Sequence, residues 1–198
     1  GSVDHLMTQT LVAILAAAIA AGTPLVFAAL GELIAEKSGV LNLGVEGMMV
    51  VGAVSGFAAT VATGNPWIGI LAGMAAGTAM ALLFAVLTLQ LMANQVAAGL
   101  ALTLFGLGLS AFAGKPLESV ALAAQEPWPV PFLMDIPVLG PALFNHHLLV
   151  YGSWLLLALL SWFLYRTRAG LVLRAVGESP ESAHAIGYPV IAIRYLAT

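Results

Sequence analysis

Residues 47–114 read GMMVVGAVSGFAATVATGNPWIGILAGMAAGTAMALLFAVLTLQLMANQVAAGLALTLFGLGLSAFAG, and no charged side chain occurs between Glu46 and Lys115. A helix that crosses a bilayer needs about 20 apolar residues. This stretch is therefore long enough for about three crossings and far too long for one buried helix of a soluble core. Gly64-Asn65-Pro66 is a turn signal, and Asn94-Gln95 is a polar break. They divide the region into apolar runs of about Val40 to Ala62, Trp67 to Met92 and Val96 to Ala113. Gly69, Gly73 and Gly77 recur at intervals of four, which places them on one helix face. Small residues at that spacing let two helix backbones approach closely in lipid.

Composition agrees over the whole chain of 198 residues. Hydrophobic residues make up 61% and charged ones only 8%, and the mean hydropathy is +1.03. Soluble domains carry about 25% charged residues. So few charges cannot cover a water-exposed surface, and lipid must be the solvent for most of it. No cysteine is present, which removes disulfides and thiolate metal sites. The net charge of −3 and the lack of a basic patch argue against nucleic-acid binding.

Outward from this region, a first span is expected from about Met7 to Leu30, with Pro24 toward its far end. It is too long for a signal peptide and has no basic region before it. Gly1-Ser2 reads as a cloning scar. A polar patch follows, with Glu32, Glu36, Lys37, Ser38 and Gly39. On the other side, residues 114–147 form a loop in which Pro116, Pro127, Pro129, Pro131, Pro137 and Pro141 forbid a long helix. The fifth span runs from about Leu148 to Tyr165, with Tyr151, Trp154, Trp162 and Tyr165 near its ends, where aromatic residues favour the membrane interface. Residues 166–189 are the most polar segment. Val190, Ile191, Ile193 and Leu196 then open a sixth apolar run. The expected fold is all-α, a polytopic transmembrane helical bundle with about five complete spans and the start of a sixth.

Four of the 6 basic residues, Arg166, Arg168, Arg174 and Arg194, follow the fifth span. The positive-inside rule assigns 166–189 to the cytoplasm. Counting back, loop 114–147 is extracytoplasmic, the Asn94 break inside, the Gly64 turn outside and the Glu32–Asn42 patch inside. That count requires the second run, 40–62, to cross fully.

Within the cytoplasmic segment, Gly177-Glu178-Ser179-Pro180-Glu181-Ser182-Ala183-His184-Ala185-Ile186-Gly187 spells a short helix. Ser179 suits the N-cap, and Pro180 suits the first helical position, where its missing N–H costs nothing. Glu181 favours the positive end of the helix dipole, and Gly187 suits the position just past the end. A helix of about two turns is marginal alone in water. Ala183 and Ile186 lie three apart and could form a small apolar face for a partner groove. An ordinary amphipathic connector would read the same way.

Glu181-Ser182-Ala183, three further residues and Gly187 resemble the EAA-x-x-x-G motif of ABC importer permeases, with Ser182 where alanine is usual. In that family the motif forms the coupling helix that docks on the ATPase. The approach, Gly170-Leu171-Val172-Leu173-Arg174-Ala175-Val176-Gly177-Glu178, is similar to that of the branched-chain amino acid, ribose and nucleoside permeases. The block Glu36-Lys37-Ser38-Gly39-Val40-Leu41-Asn42-Leu43-Gly44-Val45-Glu46-Gly47-Met48-Met49 resembles the signature of their nucleoside and simple-sugar branch. The resemblance implies a permease subunit of an ATP-driven importer in a bacterial cytoplasmic membrane, with residues 1–198 part of a longer permease domain. It also implies three partners: an ATP-binding subunit, a second permease and an extracellular substrate-binding protein. Nucleosides are the first expected cargo and simple sugars the second. Glu181, Ser182, Ala183, Ile186 and Gly187 become the coupling residues.

Polar residues at membrane depth mark a pathway or an internal partner. Asn42 and Glu46, which a helix would place on one face, are candidates for the cytoplasmic end of the substrate path, for capping the second span, or for holding a broken helix. Asn94 and Gln95 carry the same alternatives. His146 and His147 lack the neighbours of a metal site, and no metal or cofactor is expected. No Gly-x-x-x-x-Gly-Lys loop occurs, so ATP is not expected to bind this chain. Gly52-Ala53-Val54-Ser55-Gly56 loosely resembles an intramembrane serine nucleophile, but no span carries a histidine to act as its base. An ion-coupled secondary transporter or channel is the competing reading. Such proteins place charges within their spans, and here the spans are almost bare of them. A membrane scaffold would explain the spans but not the capped helix.

Overall fold

The break at Ser38-Gly39 organises the N-terminal half. Ahead of it, α1 (Ser2–Lys37) runs as one helix of 36 residues in the computed structural model. The structure describes residues 2–123, 126–131, 133, 135, 136 and 139–198. Gly1 and Pro137 lie outside the described residues. At about 1.5 Å per residue α1 is roughly 54 Å long, well beyond the ~30 Å hydrocarbon core. It passes the expected end at Leu30 because Glu32, Glu36 and Lys37 are good helix formers. Gly39 ends it, at φ +83°. Its amide donates to the Glu36 carbonyl (2.9 Å) and that of Val40 to the Ala35 carbonyl (3.0 Å). These two bonds are a Schellman cap, with Ala35 and Val40 buried beside it.

Residues 38–44 are not helical, so the second span starts at Val45 rather than at Val40. α2 (Val45–Thr63) ends on Gly64 in the left-handed region (φ 67°). Asn65 then caps α3 (Pro66–Ala85), its side chain accepting from the Trp67 amide with Pro66 in the first turn. α2 and α3 form a helical hairpin whose contact is backbone against backbone. A Cβ on Gly73 would lie 3.0 Å from the Gly52 carbonyl oxygen, and one on Gly56 would lie 2.9 Å from that of Gly69. The glycine row is thus a packing seam at Gly69 and Gly73, while Gly77 faces open space. A π-helical turn, Val86–Gln90, extends α3, and Met92 follows with φ 54°.

α4 (Gln95–Gly114) is capped by Asn94, whose side chain accepts from the Ala97 amide. It packs on α2. Val40, Val51, Met80, Phe84 and Leu102 form the shared core. In the proline-rich loop, α5 (Leu139–Leu143) is short. β1 (Trp128–Pro129) pairs antiparallel with β2 (Asn145–His146). α6 (Leu148–Arg166) is the fifth long apolar helix. The segment after it folds into α7 (Arg168–Glu178), α8 (Pro180–Ala185) and α9 (Val190–Ala197).

The chain divides into two compact units, residues 1–30 with 123–163 and residues 31–122 with 164–198. Among the described residues, 5 helices are long and apolar enough to cross a membrane: His5–Lys37, Val45–Thr63, Pro66–Gln90, Gln95–Leu117 and Leu148–Arg166. Their surfaces are apolar. Leu71, Met74, Leu104 and Phe112 are all more than half exposed, an arrangement that only lipid or further protein can cover.

Candidate functional site

Two features of the second unit carry the residues singled out by sequence: the linker 38–44, in which buried and exposed residues alternate, and the exposed helix α8. In the linker, Ser38 and Val40 are fully buried and Asn42 nearly so. Non-helical backbone packed among helices persists only where its polar groups find partners, and here they do. The Leu41 amide donates to Gln95 Oε1 (2.8 Å), that of Asn42 to Glu32 Oε1 (3.0 Å), and that of Gly44 to Asn42 Oδ1 (2.9 Å). The Leu43 carbonyl accepts from Thr103 Oγ1 (3.0 Å). The linker is therefore stitched to α1 through Glu32 and to α4 through Gln95 and Thr103.

This places the polar candidates in different settings. Asn42 and Gln95 both serve the linker backbone. Asn94 caps α4. Glu46 is exposed in the first turn of α2. Asn42 lies outside the helix, so it does not share a helix face with Glu46, because Gly39 and the Asx turn at Gly44 delay the restart of the helix. Glu32 is the site residue that sequence reasoning left among a polar patch. Its signal was an acid in a long apolar run, but its partner lies at no helical spacing.

Next comes the polar segment. Thr167 Oγ1 accepts from the Gly170 amide (3.0 Å) and starts α7. The Arg174 guanidinium lies 5.1 Å from the centre of the Tyr165 ring, a cation–π contact tying α7 to the end of α6. Gly170, Leu173 and Val176 are the buried stripe of α7. α8 begins at Pro180 as the spacing requires, yet Ser179 does not cap with its side chain. Its hydroxyl donates instead to the Ser182 hydroxyl (2.7 Å). At the far end Gly187 has φ +96°. Its amide donates to the His184 carbonyl (3.0 Å) and the Tyr188 amide to the Ala183 carbonyl (3.1 Å), a second Schellman cap.

Ala183 is 2% exposed and Ile186 73%. The expected joint apolar face is corrected accordingly. Ala183 turns into its own chain, and Ile186 projects. Glu181, Ser182, His184 and Gly187 are exposed around it. An open depression of about 770 Å³ lies beside α8, lined by Gln90, His184, Tyr195 and apolar side chains of α9.

His146 is buried, its Nε2 2.7 Å from the Ala142 carbonyl and its amide donating to the Tyr151 hydroxyl. It holds the loop together. Among the described residues no three His, Asp or Glu side chains gather as a metal site would need.

Long apolar helices, a polar break between the first two and a capped helix exposed in the most polar segment define a polytopic helical membrane protein. The chain belongs to the family described as branched-chain amino acid transport system / permease component, which matches residues 14–198. It is 45% identical over 188 residues to the putative glucose ABC transporter permease protein TsgC13 of Haloferax volcanii, covering 93% of this chain and 57% of that protein. It is 36% identical over 204 residues to the guanosine ABC transporter permease protein NupQ of Bacillus subtilis, covering 96% of this chain and 63% of that protein. It is 34% identical over 200 residues to the nucleoside ABC transporter permease protein NupC of Lactococcus lactis subsp. cremoris, again covering 96% and 63%. The chain thus spans about three fifths of the length of these relatives. No solved structure matches it.

Proposed function

We propose that the chain is the membrane-spanning permease part of an ATP-driven importer for nucleosides or simple sugars, seated in a prokaryotic cytoplasmic membrane. A separate ATPase would dock on α8, with a second permease subunit and an extracellular substrate-binding protein completing the assembly. The observation that carries this reading is α8 itself: six residues with a glycine-terminated end, projecting Ile186 from the most polar segment of a family-assigned permease. Glu181, Ser182, Ile186 and Gly187 would form the docking surface, and Ala183 would anchor the helix from beneath. The cluster of arginines in 166–189 supports a cytoplasmic position for that segment and an extracytoplasmic one for loop 114–147.

In this reading nucleotide-driven closure of the ATPases pushes on α8 and alternates access to a path between helices. The cargo rests on the relatives' names, which include a sugar, guanosine and nucleosides. Asn42, Asn94 and Gln95 are occupied by backbone amides, so on the substrate path they would act as its frame. Glu46, exposed at the start of α2, is the group best placed to face the cytoplasmic mouth.

The test is capture of the cognate ATPase by the intact permease, wild type against Gly187→Pro. A left-handed φ is closed to proline, so the variant removes the Schellman cap. Loss of the ATPase at normal membrane level is the expected result. Undiminished capture by the variant would remove the cap from the docking surface, and no capture by the wild type would favour an ion-driven transporter.

A further inference from the structure

The two sequence blocks that carry the family resemblance, 36–49 and 170–187, meet in space, and they do so through bare backbone. Gly177, near the end of α7, lies against the linker. A Cβ added there would overlap the Lys37 carbonyl oxygen and come 3.1 Å from the Gly39 amide nitrogen. From the other side, a Cβ on Gly39 would come 3.3 Å from both Cα and the carbonyl oxygen of Gly177, and 2.8 Å from the Arg194 guanidinium. Arg194, on α9, closes the contact by donating from Nε to the Ser38 carbonyl (3.0 Å). Val176 on one side and Ser38 and Val40 on the other are fully buried.

We infer that Gly177, Gly39 and Arg194 are positioning residues of the transport cycle, forming the rigid joint that carries displacement of α8 into the linker 38–44. The inference rests on the docking reading of α8. Only Glu178 and Ser179 separate Gly177 from Pro180, so little slack intervenes between the exposed helix and the joint. Beyond the joint the linker is bonded to α1 at Glu32 and to α4 at Gln95 and Thr103. A push on α8 therefore arrives at the point where α1, α2 and α4 are tied together. Close-packed backbone transmits displacement because it cannot compress, and packed interfaces switch between discrete arrangements rather than deform smoothly. A side chain at either glycine would hold the two backbones apart.

The experiment uses the intact importer with its ATPase, reconstituted in liposomes. Uptake of radiolabelled guanosine and glucose and ATP hydrolysis are measured together for wild type, Gly177→Ala, Arg194→Met and Arg194→Lys. Each variant is also checked for ATPase capture. The expected result is undiminished capture and hydrolysis with a fall of about tenfold in cargo imported per ATP for Gly177→Ala, within the usual range of site-to-site coupling. Arg194→Met falls in the same direction, and Arg194→Lys recovers part of the loss because it restores a donor toward Ser38. Wild-type import per ATP in all three variants overturns the joint. So does a parallel fall of uptake and hydrolysis, which is the mark of a merely structural defect. If Gly177→Ala does not reach the membrane, the Arg194 pair decides alone. Failure of the wild-type permease to capture its ATPase refutes the docking reading instead, and is seen separately.

Discussion

Alanine at Gly106 and alanine at Gly108 should have opposite effects although they lie two residues apart on one helix. At Gly106 the new Cβ would come 2.6 Å from the Gly47 carbonyl oxygen and 2.7 Å from its Cα. At Gly108 nothing lies within 4 Å. Optimal carbon contacts are about 3.5–4.0 Å, so α2 and α4 must part by about 0.8–1 Å, a gap that forfeits a quarter to a half of each dispersion contact at the crossing. Core overpacking costs about 1–3 kcal/mol. Both substitutions gain the same helix propensity, about 0.8–1.0 kcal/mol over glycine. The difference between the two variants therefore isolates the clash, and Gly106→Ala should be the less stable by about 1–3 kcal/mol. Unfolding of the purified permease in mixed micelles with rising denaturing detergent, followed by circular dichroism, reads the difference directly. Equal midpoints for the two variants would refute the close crossing of α2 and α4.

Two further substitutions test the framework. Gln95→Ala removes the acceptor for the Leu41 amide and should cost about 0.5–1.5 kcal/mol, while Gln95→Glu, which keeps an acceptor, should stay nearer wild type in the same unfolding assay. Asn65→Ala removes the side-chain cap of α3 and should lower stability by about 1 kcal/mol, with Asn65→Asp close to wild type.

The spans were legible because lipid imposes a simple rule on composition, and their turns because Gly64, Asn65 and Pro66 each act locally. Gly187 was legible for the same reason: a glycine after a short capped helix has one common use. The linker was not. Its apolar side chains, Val40, Leu41 and Leu43, extend the second run with only Asn42 between them, and hydropathy cannot tell a coil of this composition from a helix. What breaks the helix is Gly39, and what sustains the break is a set of bonds from Glu32 and Gln95, 10 and 54 residues from their partners. Contacts of that separation leave no periodic trace. Ala183 misled for a related reason. Its spacing from Ile186 marks a shared face on an isolated helix, but burial of one and exposure of the other is decided by what lies beneath.

Both helix ends that matter here are closed in the same way. Gly39 and Gly187 each take a left-handed φ, and each is flanked by the paired bonds of a Schellman cap. Such a cap fixes the direction in which the chain leaves the helix. At Gly187 it turns the chain sharply, so that α8 stands out and α9 can start at Val190. At Gly39 it turns the chain inward, so that the linker lies under α7 and within reach of Gln95. A side chain at Gly39 would meet two independent obstacles: the left-handed backbone angle and the nearness of the Gly177 backbone. Replacing Gly39 by alanine would therefore cost more than the αL penalty alone, about 1–2 kcal/mol. At Gly64, with a left-handed φ but open space around it, that penalty would be the whole effect. The geometry of the break, more than the polarity of its side chains, is what these residue choices protect.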